Sequence, residues 1–227
     1  MLALRLGETM ICWSCEKDAG NEALCASCGA PQAISTHGAA RDHFAVLGVE
    51  RRYDLDVAML ESRYKELSRK LHPDRFAKGD PRARKAALQR TVELNEAWRA
   101  LKDPMKRATY LLELGGVKIA TDDGGARSGG VAASPALLME MLELREELGD
   151  ARAARDDAKV RAMGEAMKAR AARSEAAVAA ALAGTPTREA LEGAARELVA
   201  LRYYARFLDE VTAHEDAAAA RAEASHG

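Results

Sequence analysis

The chain has 227 residues, enough for one large domain or two small ones. Lysine and arginine number 34 against 35 aspartates and glutamates, a balance that argues against nucleic acid or a membrane surface as the partner of the chain as a whole. Aromatics make up only 4% and alanine supplies much of the apolar fraction, which fits slender, closely packed helices better than a β-sandwich.

Met1 to Thr9 is too short and too weakly basic for a targeting peptide. No later stretch reaches the roughly 18 apolar residues of a membrane-spanning helix. The cytoplasm is therefore the expected compartment, and Met10 is an alternative start.

All four cysteines follow, in Cys12-Trp13-Ser14-Cys15 and Cys25-Ala26-Ser27-Cys28, with nine residues between the pairs. Two Cys-x-x-Cys turns that face each other offer four thiolates to one tetrahedral ion. Zinc suits such a set, because it accepts soft sulfur ligands and needs no open position in a structural role. Gly20 and Gly29 supply turns beside the knuckles. A segment of this size (10–34) has almost no core, so metal binding would provide most of its folding free energy. Iron fits the same four sulfurs. Two disulfides are disfavoured without an export signal, and a redox Cys-x-x-Cys normally occurs once, beside a βαβ pattern absent here. A thiol oxidoreductase is the competing class. Only Lys17 is basic between Cys12 and Cys28, which disfavours nucleic-acid binding by the knuckle.

Helix starts are well marked beyond the cysteines. Four of the six prolines follow a capping residue: Asp80-Pro81, Asp103-Pro104, Ser134-Pro135 and Thr185-Pro186. These signals and the apolar periodicity predict helices near 42–48, 55–71, 81–101, 104–114, 135–149, 151–183 and 186–214. Sustained alternation is absent, so almost no strand is expected outside the cysteine region. The predicted architecture is all-α: a zinc knuckle (10–34), a helical domain (41–115), a flexible Gly-rich linker (116–134), a three-helix bundle (135–215) and a frayed or disordered tail (216–227). The helix 151–183 carries only a narrow stripe, Val160, Met163, Met167, Val178 and Leu182.

Within 55–71, Leu60, Tyr64, Leu67 and Leu71 form one apolar stripe, while Lys65 and Arg69 lie on the opposite face with Arg63 and Lys70 at its edges. Pro73 pushes His72 out of helical geometry and ends the helix. A basic helix thus runs into a loop presenting one imidazole and one carboxylate, His72-Pro73-Asp74. A second helix with Leu94, Trp98 and Leu101 on one face returns. In this order the elements resemble the J-domain, the module by which co-chaperones engage DnaK-type ATPase chaperones. His72 and Asp74 lack a nucleophile, metal or pocket, so they do not read as an active site.

In 135–150, Leu137, Met141, Leu144 and Leu148 form a stripe suited to the bundle core. Leu138, Met139 and Leu142 cannot share that face, and Glu143, Glu146 and Asp150 border them. An acid-edged apolar patch fits a docking site for a partly basic protein; equally, it fits burial against another helix of the same bundle.

Several segments resemble the HscB (Jac-type) family: HFAVLGV from His43, RYKELSRKLHPDRF from Arg63, LNEAWRAL from Leu94, the run from Arg107 ending TYLLELG, and LMEMLELREEL from Leu138. A weaker echo occurs at Leu201-Arg202-Tyr203. The knuckle is similar to that of the zinc-bearing members, including the Trp inside the first Cys-x-x-Cys. The resemblance implies a co-chaperone that binds an IscU-type iron–sulfur scaffold and delivers it to a DnaK/HscA-type chaperone. There it would stimulate the partner's ATPase without being an enzyme itself. It implies scaffold contacts at Leu138, Met139, Leu142, Glu143, Glu146 and Asp150, with Tyr203 or else Phe207 from the last helix. It implies chaperone contacts at His72, Pro73 and Asp74, with Arg63, Lys65, Arg69 and Lys70 steering. The zinc ligands would be Cys12, Cys15, Cys25 and Cys28. Asp150 is shorter than the family's usual Glu, and the linker is long. A different client for the bundle is the alternative, and self-association is left open.

Overall fold

The computed structural model describes residues 10–20, 22–33, 42–120 and 129–224. Its helices are α1 (His43–Leu47), α2 (Val57–Leu71), α3 (Pro81–Leu101), α4 (Pro104–Leu114), α5 (Pro135–Ala153), α6 (Asp157–Ala181) and α7 (Arg188–Ala224), with a 3-10 turn at Pro73–Phe76. Among the described residues only isolated β-bridges occur besides: Ile11 with Asp18, Leu24 with Pro31, and Ile119 with Val131. The protein is all-α. No described helix is long and apolar enough to cross a membrane.

Capping explains where these helices begin. Asp42, Asp56, Asp80, Ser134 and Asp156 each accept backbone N–H groups from the first turn of α1, α2, α3, α5 and α6. Asp103 does so for α4, at 2.9 Å from Met105 N and 3.0 Å from Lys106 N. The last helix departs from expectation: Thr187, not Thr185, accepts the Ala190 N–H at 3.2 Å, and α7 starts at Arg188.

The chain forms two compact units. The first comprises the described residues through Arg51 and Leu55–Arg107; the second comprises Arg52–Asp54 and the described residues from Ala108 onward. In the first, α3 packs on α1, α2 and the Pro73–Phe76 turn. Phe44, Leu47, Leu60, Leu71, Leu94 and Leu101 are buried there, along with Ala83, Ala86, Ala87 and Ala97. Tyr64 stacks on Trp98 with ring centroids 4.9 Å apart and planes at 13°, and its hydroxyl lies 2.9 Å from Asn95 Oδ1. The stripe of α2 is thus held against α3 at both polar and apolar atoms, which fixes the loop between them.

The unit boundary falls inside α4, earlier than the expected break at Gly115. The end of α4 belongs with α7: a Cβ on Gly115 would lie 2.5 Å from Leu191 Cδ1. Val117 and Ala120 are buried, and the Ala120 carbonyl accepts from Arg202 at 3.4 Å. Val131 N reaches Lys118 O at 2.8 Å, and Ala120 N reaches Val131 O at 2.9 Å. A Cβ on Gly130 would come within 2.6 Å of Ala120 N, so this close backbone pairing requires glycine. The expected flexible linker 116–134 is therefore anchored at both ends to the second unit. Its residues 121–128 lie outside the described residues.

In the second unit α6 and α7 pack most extensively, and α5 contacts both. Their core is Met141, Leu148, Ala151, Val160, Met167, Phe207 and Val211. At two further places in this unit the helix boundaries differ from the sequence-based expectation. First, α5 runs on to Ala153 and α6 starts only at Asp157, because Arg155 adopts a left-handed φ of 54° and Asp156 caps the new helix. Second, α7 continues to Ala224 through the expected tail, since alanine, glutamate and arginine are strong helix formers. His214, buried on α7, lies 2.8 Å from Asp157 Oδ1 at the start of α6.

Gly164 sets how closely α6 and α7 approach, because a Cβ there would meet Val211 Cγ1 at 2.9 Å. Gly164→Leu should lower stability by about 1–3 kcal/mol through overpacking, measured as a lower urea midpoint. Gly149→Ala, where nothing lies within 4 Å of the added Cβ, should raise it by roughly 0.5–1 kcal/mol.

Candidate functional site

The cysteine segment folds as two similar turns. Cys12 O accepts Glu16 N at 3.0 Å and Cys25 O accepts Gly29 N at 2.8 Å, so each Cys-x-x-Cys closes on the residue after its second cysteine. Both closing residues are left-handed, Glu16 with φ 58° and Gly29 with φ 72°. The four sulfurs converge within 4.8 Å of one another. Cys12 Sγ lies 3.6 Å from Cys28 Sγ and Cys15 Sγ 3.7 Å from Cys25 Sγ. Four sulfurs around a zinc-sized ion are spaced about 3.8 Å, from a metal–sulfur bond of about 2.3 Å in a tetrahedron. Distances and donor chemistry thus fit one metal ion held by Cys12, Cys15, Cys25 and Cys28.

Around these ligands stand Trp13, whose contact the sequence does not reveal, and Gln32, which sequence reasoning missed. The Trp13 indole N–H donates to Pro31 O at 2.8 Å. Gln32, fully buried, donates from Nε2 to Cys12 Sγ at 3.3 Å and to Ala30 O at 2.7 Å, and Ser14 N lies 3.4 Å from the same sulfur. Burial raises the Cys12 thiol, but N–H groups of Cys15 and Ser14 and the neighbouring thiols outweigh it and bring it down to about 6. Cys15 goes the other way. The backbone of Lys17 favours its thiolate, yet burial and the three other thiols push it up to about 12.

The His72 loop is presented to solvent at the end of α2. His72 and Asp74 side chains are 56% and 88% exposed, with Nδ1 3.6 Å from Asp74 Oδ2 and accepting the Asp74 N–H at 3.3 Å. At the base of the loop, the Thr91 hydroxyl of α3 is shared between Ala87 O of its own helix at 2.8 Å and Leu71 O at 3.2 Å. Of the four basic residues on α2, three are paired within the helix: Lys65 with Glu61 at 2.7 Å, and Arg63 and Lys70 with Glu66 at 3.0 and 2.6 Å. The two bases pull the Glu66 carboxyl below its usual range. Arg69 alone of the four has no acidic partner among the described residues.

On α5, Met141 and Leu148 are buried and Leu137 and Leu144 pack on the same core, while Leu138, Met139 and Leu142 are 44%, 58% and 53% exposed. The patch is therefore a surface and not a second core. Glu143, Glu146 and Asp150 are exposed beside it. Leu138, Met141 and Leu142 line a groove of about 180 Å³ with Arg145, Tyr203 and Arg206. Phe207, the other candidate aromatic, is fully buried in the core.

Residues 42–110 match the DnaJ domain, and residues 133–212 match the HSCB C-terminal oligomerisation domain. The chaperone HscB from Vibrio cholerae is 31% identical with a TM-score of 0.62, the match covering 78% of this chain and 98% of that one. The chain belongs to the HscB family. Human co-chaperone protein HscB shares the fold, with 24% identity, a TM-score of 0.71 and coverage of 90% and 98%. The family match places the His72 loop in the DnaJ region and the α5 patch in the HSCB C-terminal region.

For this HscB-family chain, the thiol properties give a signed expectation for metal binding. Burial and the neighbouring thiols favour the protonated form of Cys15, so metal entry must expel a proton there. Metal affinity should rise with pH through the neutral range, with protons released on binding. A metal titration in weakly buffered solution, read by a pH indicator, checks this. Binding of one ion per chain should be lost in Cys15→Ser.

Proposed function

We propose that this protein is a co-chaperone in iron–sulfur cluster assembly. Its C-terminal bundle binds an IscU-type scaffold, its DnaJ domain carries that scaffold to a DnaK/HscA-type chaperone in the cytoplasm, and the His72 loop stimulates the chaperone's ATPase. The observation that carries the proposal is the exposed apolar patch Leu138, Met139 and Leu142 beside Tyr203, on the one region that matches the HSCB C-terminal domain. Large apolar side chains left in water on an otherwise alanine-filled bundle mark a docking surface. Glu143, Glu146 and Asp150 at its border favour a partner with a basic rim.

The second half of the cycle rests on exposed groups. Arg69, which forms no ion pair among the described residues, supplies the steering charge most directly, while Arg63, Lys65 and Lys70 contribute through a field partly cancelled by Glu61 and Glu66. His72 and Asp74 then make short-range polar contacts with the chaperone, and Pro73 holds the loop's shape. Neither is a catalytic group. Hydrolysis belongs to the partner. The ion in the knuckle is zinc in this proposal, with a structural role, because four thiolates leave no position open for chemistry.

Adding the protein and an IscU-type scaffold to a DnaK/HscA-type chaperone should raise its ATPase rate synergistically. Leu138→Ala/Leu142→Ala should remove the scaffold-dependent part; stimulation indifferent to scaffold would instead mean a different client. His72→Gln, at an exposed position, should abolish stimulation with the unfolding temperature unchanged. Full activity in that variant would sink the motif assignment. Arg69→Glu should slow chaperone association more than Lys65→Glu, most clearly at low salt.

A further inference from the structure

Arg90 on α3 is the largest of the fully buried side chains, 2% exposed, and its charge needs acceptors. It finds one on its own helix, Glu93 Oε2 at 2.8 Å. The other two come from the end of the cysteine segment: Nε donates to Gln32 O at 2.9 Å and Nη2 donates to Ala33 O at 3.1 Å. Gln32 is the residue whose side-chain amide donates to Cys12 Sγ at 3.3 Å, and its backbone N–H is held by Ala23 O at 2.9 Å. A continuous chain of hydrogen bonds therefore runs from a metal-ligand sulfur through Gln32 to the middle of α3. The adjoining residue, Thr91, places its hydroxyl between Ala87 O at 2.8 Å and Leu71 O at 3.2 Å, the latter at the base of the His72 loop.

We propose that Arg90 is a positioning residue for the metal centre, and that metal occupancy in turn holds α3 and the base of the His72 loop in place. The proposal rests on the four cysteines binding a metal ion. The segment up to Ala33 keeps its shape through that ion, since its buried apolar content is little more than Cys12, Ala19 and Cys25. Without the ion the segment loosens, Gln32 and Ala33 withdraw their carbonyls, and a buried guanidinium keeps Glu93 alone. In the other direction, Arg90 pins Gln32 where its amide meets the Cys12 thiolate, and an N–H donor to a ligand sulfur strengthens metal holding. Coupling of this kind is reciprocal: if metal steadies α3, then α3 must steady the metal.

Two measurements on the full chain test both directions. Transfer of zinc to the chromophoric chelator 4-(2-pyridylazo)resorcinol should be roughly tenfold or more faster in Arg90→Met and Gln32→Leu than in the wild type, with Arg90→Lys in between. Hydrogen exchange of the wild-type chain, loaded and metal-stripped, should show faster exchange in residues 87–94 and 71–77 on stripping, with α6 unchanged. Unaltered zinc release in a folded Arg90→Met chain would overturn the proposal. So would equal exchange in 87–94, which decides the matter even where the variants fail to fold. The metal content of the purified chain separates the two levels. A chain with four reactive thiols that takes up no zinc sinks the metal assignment and the coupling together, whereas one zinc per chain with unchanged exchange sinks the coupling alone.

Discussion

Small side chains govern this molecule. With few aromatics, its helices bury many small residues beside their larger ones: alanines 83, 86, 87 and 97 line α3, alanines 194 and 195 line α7, and Gly164 admits the Val211 side chain to within contact of the α6 backbone. Such packing gains dispersion energy only where surfaces fit without gaps. It also sharpens the contrast between inside and outside. On α5, Met141 and Leu148 complete the core, so Leu138, Met139 and Leu142 have no structural duty left and stand in solvent.

The same economy explains what was legible in the sequence. Caps are local chemistry, so Asp80, Asp103 and Ser134 could be read directly, and Pro73 marked the end of α2 without any knowledge of tertiary structure. The four cysteines were legible because metal ligation leaves a fixed spacing. The stripe Val160, Met163, Met167, Val178 and Leu182 also emerged, although it is thin, since each member is spaced for one helix face. Where alanine fills a segment, however, periodicity carries little information. The α5–α6 break is placed by a left-handed Arg155 and by the cap at Asp156, neither marked by glycine or proline. The continuation of α7 to Ala224 follows from helix propensity in a stretch whose lack of apolar residues reads as a tail.

Charges were legible as types but not as pairs. Read along the sequence, α2 is a basic helix. In three dimensions Glu61 and Glu66 occupy the adjacent helical positions and tie down three of its four bases. Exposed pairs of this kind contribute only a few tenths of a kcal/mol each to the helix. Their larger consequence is electrostatic: they reduce the net field of the face and concentrate what remains at Arg69, one turn from the His72 loop. The segment 116–134 shows the same limit. Its glycines read as a linker because composition is local, yet Gly130 is there to let two backbones pair, a contact made at long range.

Arg90 is the hardest case for sequence reasoning and the most informative in three dimensions. In α3 it reads as one more solvated base between Gln89 and Thr91, and only burial changes its meaning. A guanidinium at 2% exposure with acceptors from two separate segments is not a packing accident that either segment could keep alone: remove the knuckle's carbonyls and α3 must turn Arg90 to water or strain to hold it. The knuckle lacks a core of its own, and α3 carries a charge it cannot satisfy alone. Each therefore supplies what the other is missing, and the metal ligands and the helix behind the His72 loop lie in one compact unit.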